Sequence, residues 1–297
     1  MFAMPVNRIL NLFALQGVHL SAGSVTGVFA KCHALFQPLY QELVKTSKQE
    51  KQWNADETSW MSFIQRPGKN NYLTWMWAFL SAKVALYIWD PSRSSKVPLT
   101  HLGKLAEGFL IADRYSAYKK LLRLAPGLTI AFCWAHFRRD FIRAALGDKT
   151  LKPWARQWEE RIGEIFHLNK ARIADPALQK DLEKAIEKME ASINAALKDP
   201  ELKQAQHKVL KSAKKHWAGL TVFVANPQVP MDNNSAERQL RIAALGRNNY
   251  YGTHADWSSH FTAICMTLLQ TARLHGLNPQ AYLRHYLDGC AQSGGVP

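Results

Sequence analysis

The sequence predicts an α/β fold: a mixed five-stranded sheet with flanking helices, interrupted by a helical insertion. Three observations carry this. Three strand-like segments follow one another between Trp53 and Trp89, with only short turns between them. Helical and strand-like segments then alternate up to Leu146. Residues 148–228 change to a purely helical periodicity with mixed charge, before capped helices resume near Asp232.

The elements follow from local pattern. Val6, Ile9, Leu10, Phe13 and Ala14 fall on one face of a helix over 5–15. After the turn at Gln16-Gly17-Val18, a second helix starts near Ser21 or Ser24, with Val25, Phe29, Cys32, Phe36, Leu39 and Leu43 in its apolar stripe. Two helices joined by a glycine turn are similar to a helix-turn-helix, although ordinary helical hairpins share that pattern. Strands are expected at 53–64, 72–81 and 84–89, with Arg66 to Asn71 as a turn between the first two. A helix over 99–107 leads to an apolar run, Phe109 to Ala112, which follows Gly108 and ends at Asp113. A short helix over 117–124, a fifth strand over 129–134 and a basic helix over 136–146 complete this part. Strands one to three can pair as an antiparallel meander, with the last two added in parallel, which is the ribonuclease-H-like arrangement, although the order alone also fits other mixed α/β folds.

In the insertion, Pro153 opens one helix and Asp175-Pro176 caps a second. A third runs from about Leu202 and extends as far as Val224. The Glu/Lys alternation here reads as a solvated face. A capped helix starts within 231–241, Gly246 to Gly252 reads as a loop or short hairpin, and helices over 257–275 and 279–287 close the chain. The expected organisation is an N-terminal helical hairpin over 1–50, a first core part over 51–147, the insertion over 148–228, core completion over 229–256 and C-terminal helices over 257–297.

Composition narrows the partner. Of 297 residues 47% are hydrophobic, enough for a core without disulfide staples. The formal charge of +15 suits a polyanion, nucleic acid first and an anionic membrane surface second. No apolar run has the length of a membrane span. The apolar N-terminus lacks a basic leader and a small-residue cleavage pattern, which argues against a signal peptide. The four cysteines are widely spaced in apolar contexts, as expected of reduced thiols.

Three acids are candidates for a shared site. Asp56 lies inside the first strand, and strand interiors disfavour aspartate. Asp113 ends the fourth strand, which in a ribonuclease-H-like sheet neighbours the first. Glu237 is the best candidate for a third acid, from a helix beside the sheet. Three converging carboxylates repel unless cations neutralise them, and two Mg²⁺ ions about 3.5–4 Å apart would do so while clamping both oxygens of an in-line phosphoryl displacement. Other readings stay open. Asp56 and Glu57 could form an exposed edge-strand pair, Asp113 could cap the next turn, and Glu237 stands at capping-box spacing from Asn234. Cys133 and His136 are half of a zinc site without a second pair, so structural zinc is not expected.

Four runs carry a resemblance in common order: Ala55-Asp56-Glu57-Thr58; Ala112-Asp113-x-Tyr115-x-x-Tyr118; Cys133-Trp134-Ala135-His136-Phe137-Arg138-Arg139; and Asp232-Asn233-Asn234-x-Ala236-Glu237-Arg238-x-Leu240-Arg241. With Gly246-Arg247-Asn248-Asn249 and the stretch Thr271 to Leu283, they resemble the insertion-sequence-66 family of TnpC-type DDE transposases over nearly the whole chain. The resemblance implies a ribonuclease-H-like fold with Asp56, Asp113 and Glu237 as the metal-binding triad, two Mg²⁺ as cofactors with Mn²⁺ able to substitute, and His136 near the active site. It implies a DNA transposase that cuts and joins strands during transposition of a mobile insertion sequence. Arg138, Arg139, Arg143, Arg238, Arg241 and Arg247 become candidates for DNA phosphates, with solvated surface arginine as the alternative. The implied partners are transposon ends and target DNA, further copies of the chain assembled on DNA, and helper proteins of the same element, with no membrane. The implied location is the bacterial cytoplasm, at the nucleoid. Members are usually longer, with an upstream zinc-binding, DNA-recognising region. A catalytically idle, truncated transposase acting as a DNA-binding or inhibitory relic is therefore the competing expectation.

Overall fold

The computed structural model describes residues 4–68, 71–104 and 106–296, so Lys69 and Asn70 of the expected 66–71 turn and Leu105 of the expected 99–107 helix lie outside the described residues. In chain order the elements are α1 (Val6–Leu15), α2 (Ala22–Gln49), β1 (Gln52–Met61), β2 (Leu73–Leu80), β3 (Ala85–Asp90), α3 (Lys96–Leu102), β4 (Gly108–Ala112), α4 (Ser116–Leu124), β5 (Leu128–Phe132) and α5 (Trp134–Gly147). There follow α6 (Lys152–Ala174), α7 (Gln179–Ala196), α8 (Gln204–Lys215), the single turns α9 (Trp217–Leu220) and α10 (Val222–Ala225), then α11 (Asn234–Tyr250), α12 (Asp256–Leu274) and α13 (Pro279–Ser293). The five strands form one sheet in the order β3-β2-β1-β4-β5. The fold is α/β with a mixed five-stranded sheet and flanking helices, consistent with the ribonuclease-H-like arrangement. The helices α6 to α10 interrupt it ahead of Glu237.

The chain divides into two compact units, residues 1–106 with 235–297, and residues 107–234. In the first unit β1, β2 and β3 form the antiparallel meander, with Asp56 opposite Ala78 and Glu57 opposite Trp77. One sheet face packs Trp60, Met76, Ala78, Tyr87 and Trp89 against Leu240 and Ala243 of α11 and Ala263 and Met266 of α12. Edge strand β3 would leave backbone groups unpaired. Side chains occupy them instead: Tyr87 N donates to Thr267 Oγ1 at 2.9 Å, Ala85 N donates to Thr271 Oγ1 at 3.2 Å, and the Tyr40 hydroxyl donates to Tyr87 O at 2.9 Å. A second cluster, Phe36, Ile264 and Leu268, joins α2 to α12, with Tyr286 of α13 packed on it.

In the second unit β4 and β5 pair in parallel, from Gly108 opposite Leu128 to Ala112 opposite Phe132. Cys133 N continues the ladder onto Ala112 O at 3.0 Å before α5 begins. Trp134 is fully buried, with Phe137 and Phe223 edge-on at 5.5 and 5.8 Å. Phe141 extends this aromatic core to Trp154 and Trp158. The buried Arg172 guanidinium ties α6 to the end of the insertion, donating to Asn169 Oδ1 at 3.0 Å and Val224 O at 2.9 Å.

The structure corrects four element expectations. The helix expected over 99–107 is α3, Lys96–Leu102, because Pro98 sits in its first turn, where a missing N–H costs nothing. The fifth strand stops at Phe132, since Cys133 and Trp134 already lead into α5. The third insertion helix ends at Lys215, where the chain bends so that Leu220 O can accept the Trp134 indole N–H at 2.6 Å. The loop expected at 246–252 is helical to Tyr250. Gly246 is buried there, and a Cβ on it would lie 2.6 Å from the Tyr250 hydroxyl. A side chain there would have to displace the Tyr250 hydroxyl, which favours glycine inside a helix that its propensity opposes.

Candidate functional site

Asp56 is half-buried within β1, the middle strand of the sheet, and its Oδ1 accepts the Glu57 N–H at 2.9 Å. Directly opposed residues of an antiparallel pair share a sheet face. Asp56 therefore lies on the face of Ala78, the face that α11 covers through Leu240 and Ala243. Glu237 is half-buried in the first turn of that same helix. Arg247, near the other end of α11, donates to Ser59 O at 2.8 Å, to Thr58 Oγ1 at 3.3 Å and to Ser59 Oγ, which fixes the helix along β1. Because α11 begins at Asn234, the Asn234–Glu237 spacing falls inside the helix. The Asn234 N–H is instead capped by Asp232 Oδ1 at 3.0 Å.

The exposed-pair reading of Asp56 and Glu57 does not hold. Glu57 points to the opposite face, with its side chain 1% exposed and bound to Arg93 at 2.6 Å. The Arg93 guanidinium in turn lies 4.6 Å from the Trp75 ring centroid.

In the other unit, Asp113 follows β4 directly and is half-buried. Its Oδ1 accepts the Tyr115 N–H at 2.9 Å, a local turn, while Oδ2 accepts no hydrogen bond among the described residues. Arg114 turns away from it, paired with Asp140, 3.3 Å from Ser212 Oγ and over the Phe137 ring. His136 is half-buried in the first turn of α5, where Arg139 Nη1 donates to its Nε2 at 3.2 Å. Cys133 is buried, and its Sγ accepts the Asn233 N–H at 3.2 Å. That gives this cysteine a structural task, joining the end of β5 to the segment ahead of α11. All four cysteines are free thiols.

The predicted acids thus divide between the units, Asp56 and Glu237 in the first and Asp113 in the second. The predicted arginines have unequal surroundings. Arg138 is tied to Glu159 at 3.1 Å and Arg143 lies 4.0 Å from Asp140. Arg238 and Arg241 are exposed and make no ion pair among the described residues. Arg247 acts as a brace on β1. Sequence reasoning missed Arg93 and Arg114. The only available signal was their position: Arg114 adjoins Asp113, and Arg93 follows the Asp90-Pro91 turn. No helix among the described residues is long and apolar enough to cross a membrane.

Comparison with known proteins agrees with these motifs. A family model described as the transposase IS66 family matches residues 1–260. Among curated proteins, the uncharacterized protein y4jD of Sinorhizobium fredii is 26% identical, over 96% of this chain and 59% of the relative. The uncharacterized protein y4hP of the same organism is 23% identical, over 95% of the chain and 56% of the relative. The chain spans less than two thirds of the length of these relatives.

Proposed function

Given that the chain belongs to the IS66 transposase family, we propose that it is the DDE catalytic core of a DNA transposase, with Asp56, Asp113 and Glu237 together holding two divalent cations. The observation that carries this reading is the placement of Asp56 on the sheet face covered by α11, the helix that holds Glu237 in its first turn. Adding Asp113 rests on the family and on the run Ala112-Asp113-x-Tyr115-x-x-Tyr118 that resembles it.

The donor set fits magnesium. All three groups are half-buried carboxylates, and hard divalent cations take such oxygens while keeping water positions for substrate phosphate. Asp113 retains an oxygen without a hydrogen bond among the described residues. When bound, the ions would activate the attacking oxygen and stabilise the leaving one. The residues themselves supply position and charge: the reacting phosphate is already the electrophile, so the protein's task is to hold groups in line and neutralise charge. His136, with Arg139 bonded to its ring, is proposed to hydrogen-bond a phosphate or the attacking group. Arg138, Arg143, Arg238 and Arg241 are proposed phosphate contacts, whereas the bonds of Arg247 favour a bracing role. The proposed reaction is strand cleavage followed by direct strand transfer, with DNA ends and target as partners.

The test is Asp113→Asn on a transposon-end duplex. Mg²⁺-dependent nicking or joining is expected to fall by roughly 100-fold or more, with DNA binding retained. Unchanged activity would remove Asp113 from the site. Binding without nicking by the unmodified protein in either Mg²⁺ or Mn²⁺ would identify a non-catalytic DNA-binding protein instead. Nicking without strand transfer would identify a hydrolytic nuclease.

A further inference from the structure

The insertion carries one helix unlike its neighbours. The exposed surface of α7 mixes signs, with Lys180, Lys184 and Lys188 among Asp181, Glu183, Glu187 and Glu190, as a solvated helix does. α8 has no acid at all. Its Val209, Leu210 and Ala213 are buried, and it packs on α5 and α7. At about 100° per residue, His207, Lys208, Lys211, Lys214 and Lys215 fall opposite that stripe, within an arc of about 120°. All five are exposed. None of the four lysines makes an ion pair among the described residues, although Lys203 just before the helix is bound to Asp148 at 2.8 Å.

Lysines three and four positions apart repel one another and weaken the helix. The repulsion between Lys208, Lys211 and Lys215 is unrelieved within this unit, as expected of a face that meets a polyanion. The face also leads somewhere. Ser212, on the same helix, is bonded to Arg114, the residue after Asp113. At the end of α8, His216 packs edge-on to Phe132 at the end of β5. Burial pushes its pKa down against the raising effect of its bond to Ser212 O, and the charges of Lys119, Arg114 and Lys215 act in the same direction as burial. The helix that carries the lysine face is thus tied through Ser212 and His216 to the ends of β4 and β5.

We propose that the lysine face of α8 is a docking surface for the phosphate backbone of duplex DNA, positioning it along the insertion on its way to Asp113. This rests on the transposase reading and adds to it a role for the insertion. Lys208 to Lys215 spans about 10 Å of helix axis, and duplex DNA presents on the order of six phosphates over that distance.

The test compares Lys208→Gln/Lys211→Gln/Lys215→Gln with Lys180→Gln/Lys184→Gln/Lys188→Gln, a variant of equal net charge altered on α7. Binding of a labelled duplex is followed by fluorescence anisotropy across a range of NaCl concentrations, without divalent metal. The α8 variant should lose at least about tenfold in affinity, and its dependence of log affinity on log salt should be shallower by about 0.9 for each phosphate that is no longer neutralised. The α7 variant should stay within about twofold. Unchanged binding by the α8 variant, or an equal loss in the α7 variant, overturns the proposal. If the triple variant unfolds, single Lys211→Gln and Lys215→Gln variants must show the same order relative to Lys184→Gln. Because no metal is present, loss of α8-dependent binding is distinguishable from failure of the catalytic reading. Intact α8-dependent binding with an Asp113→Asn variant that still nicks would overturn only the latter, whereas an unmodified protein that binds no DNA overturns both.

Discussion

Arg93 donates from Nε at 2.8 Å to Oε1 of Glu57, a carboxylate buried in the central strand next to Asp56. Removing the cation strands a charge that water cannot reach. Arg93→Ala should destabilise the fold by about 3 kcal/mol, the low end for a broken buried pair because the arginine is partly exposed. Adding Glu57→Gln should recover part of that loss. Urea midpoints of the two single variants and the double variant measure the coupling, and strict additivity would show that the pair does not interact.

Asp56 and Glu237 are expected to be as indispensable as Asp113. Asp56→Asn and Glu237→Gln should each reduce Mg²⁺-dependent nicking by roughly 100-fold or more while changing the thermal midpoint by only a few degrees. Since both acids lie in the same unit, a substantial loss of folding in either variant would point to a structural task. Single-turnover nicking beside thermal denaturation separates the two.

His101 gives the first unit a pH dependence. The ring is buried between Ser47, whose hydroxyl lies 3.1 Å from Nε2, and the ring of Phe79. Burial, and secondarily the charge of Lys48, pushes its pKa down from 6.5 to about 3. The unfolded chain then binds a proton that the folded one refuses, so the contribution of His101 is complete above pH 6.5 and is lost as pH falls toward 3. The slope approaches about 1.4 kcal/mol per pH unit. His101→Gln should be less stable at neutral pH but flatter between pH 7 and 5. Parallel urea titrations at those pH values would show equal slopes if the assignment is wrong.

Gly252 holds φ at +151°, and a Cβ there would stand 2.1 Å from Met61 O, which accepts the Thr253 N–H at 2.9 Å. Gly252→Ala must therefore push the chain after α11 off the end of β1. A loss of about 3 kcal/mol is expected, from overpacking and an unfavourable backbone. Chemical denaturation would contradict this if the variant matched the parent.

The sheet was readable because each strand carries its own signal: apolar runs bounded by turns, with the acids standing out against them. Boundaries were misread where tertiary packing overrode local preference. Gly246 through Asn249 looks like a loop, yet the chain is helical there and the Tyr250 side chain lies against the Cβ-less face of Gly246. Nor does the chain between Lys215 and Ala225 show from its own pattern why it breaks; the partner, Trp134, lies far back in sequence. Among the site residues, Asp56 and Asp113 stand out as misfits in a strand and at a strand's end, whereas Glu237 is an ordinary first-turn acid of a helix and needed the family resemblance. Arg93 and Arg114 do not stand out, because an arginine is ordinary at any surface and only its partner gives it meaning. The α8 face was legible as charge but not as a single-signed surface until Val209, Leu210 and Ala213 fixed which side was buried.

The grip of Arg247 on Thr58 and Ser59 has a consequence for how such a chain can diverge. The helix bearing Glu237 is held on the sheet at both ends, by Arg247 and by Gln239, whose backbone O accepts the Tyr87 hydroxyl at 2.8 Å, so its place does not rest on the chain ahead of it alone. Residues inserted upstream cost only the slowly growing entropy of a longer closed loop. The segment between β5 and α11 can therefore change length, or acquire a new surface, while Asp56 and Glu237 keep their spacing.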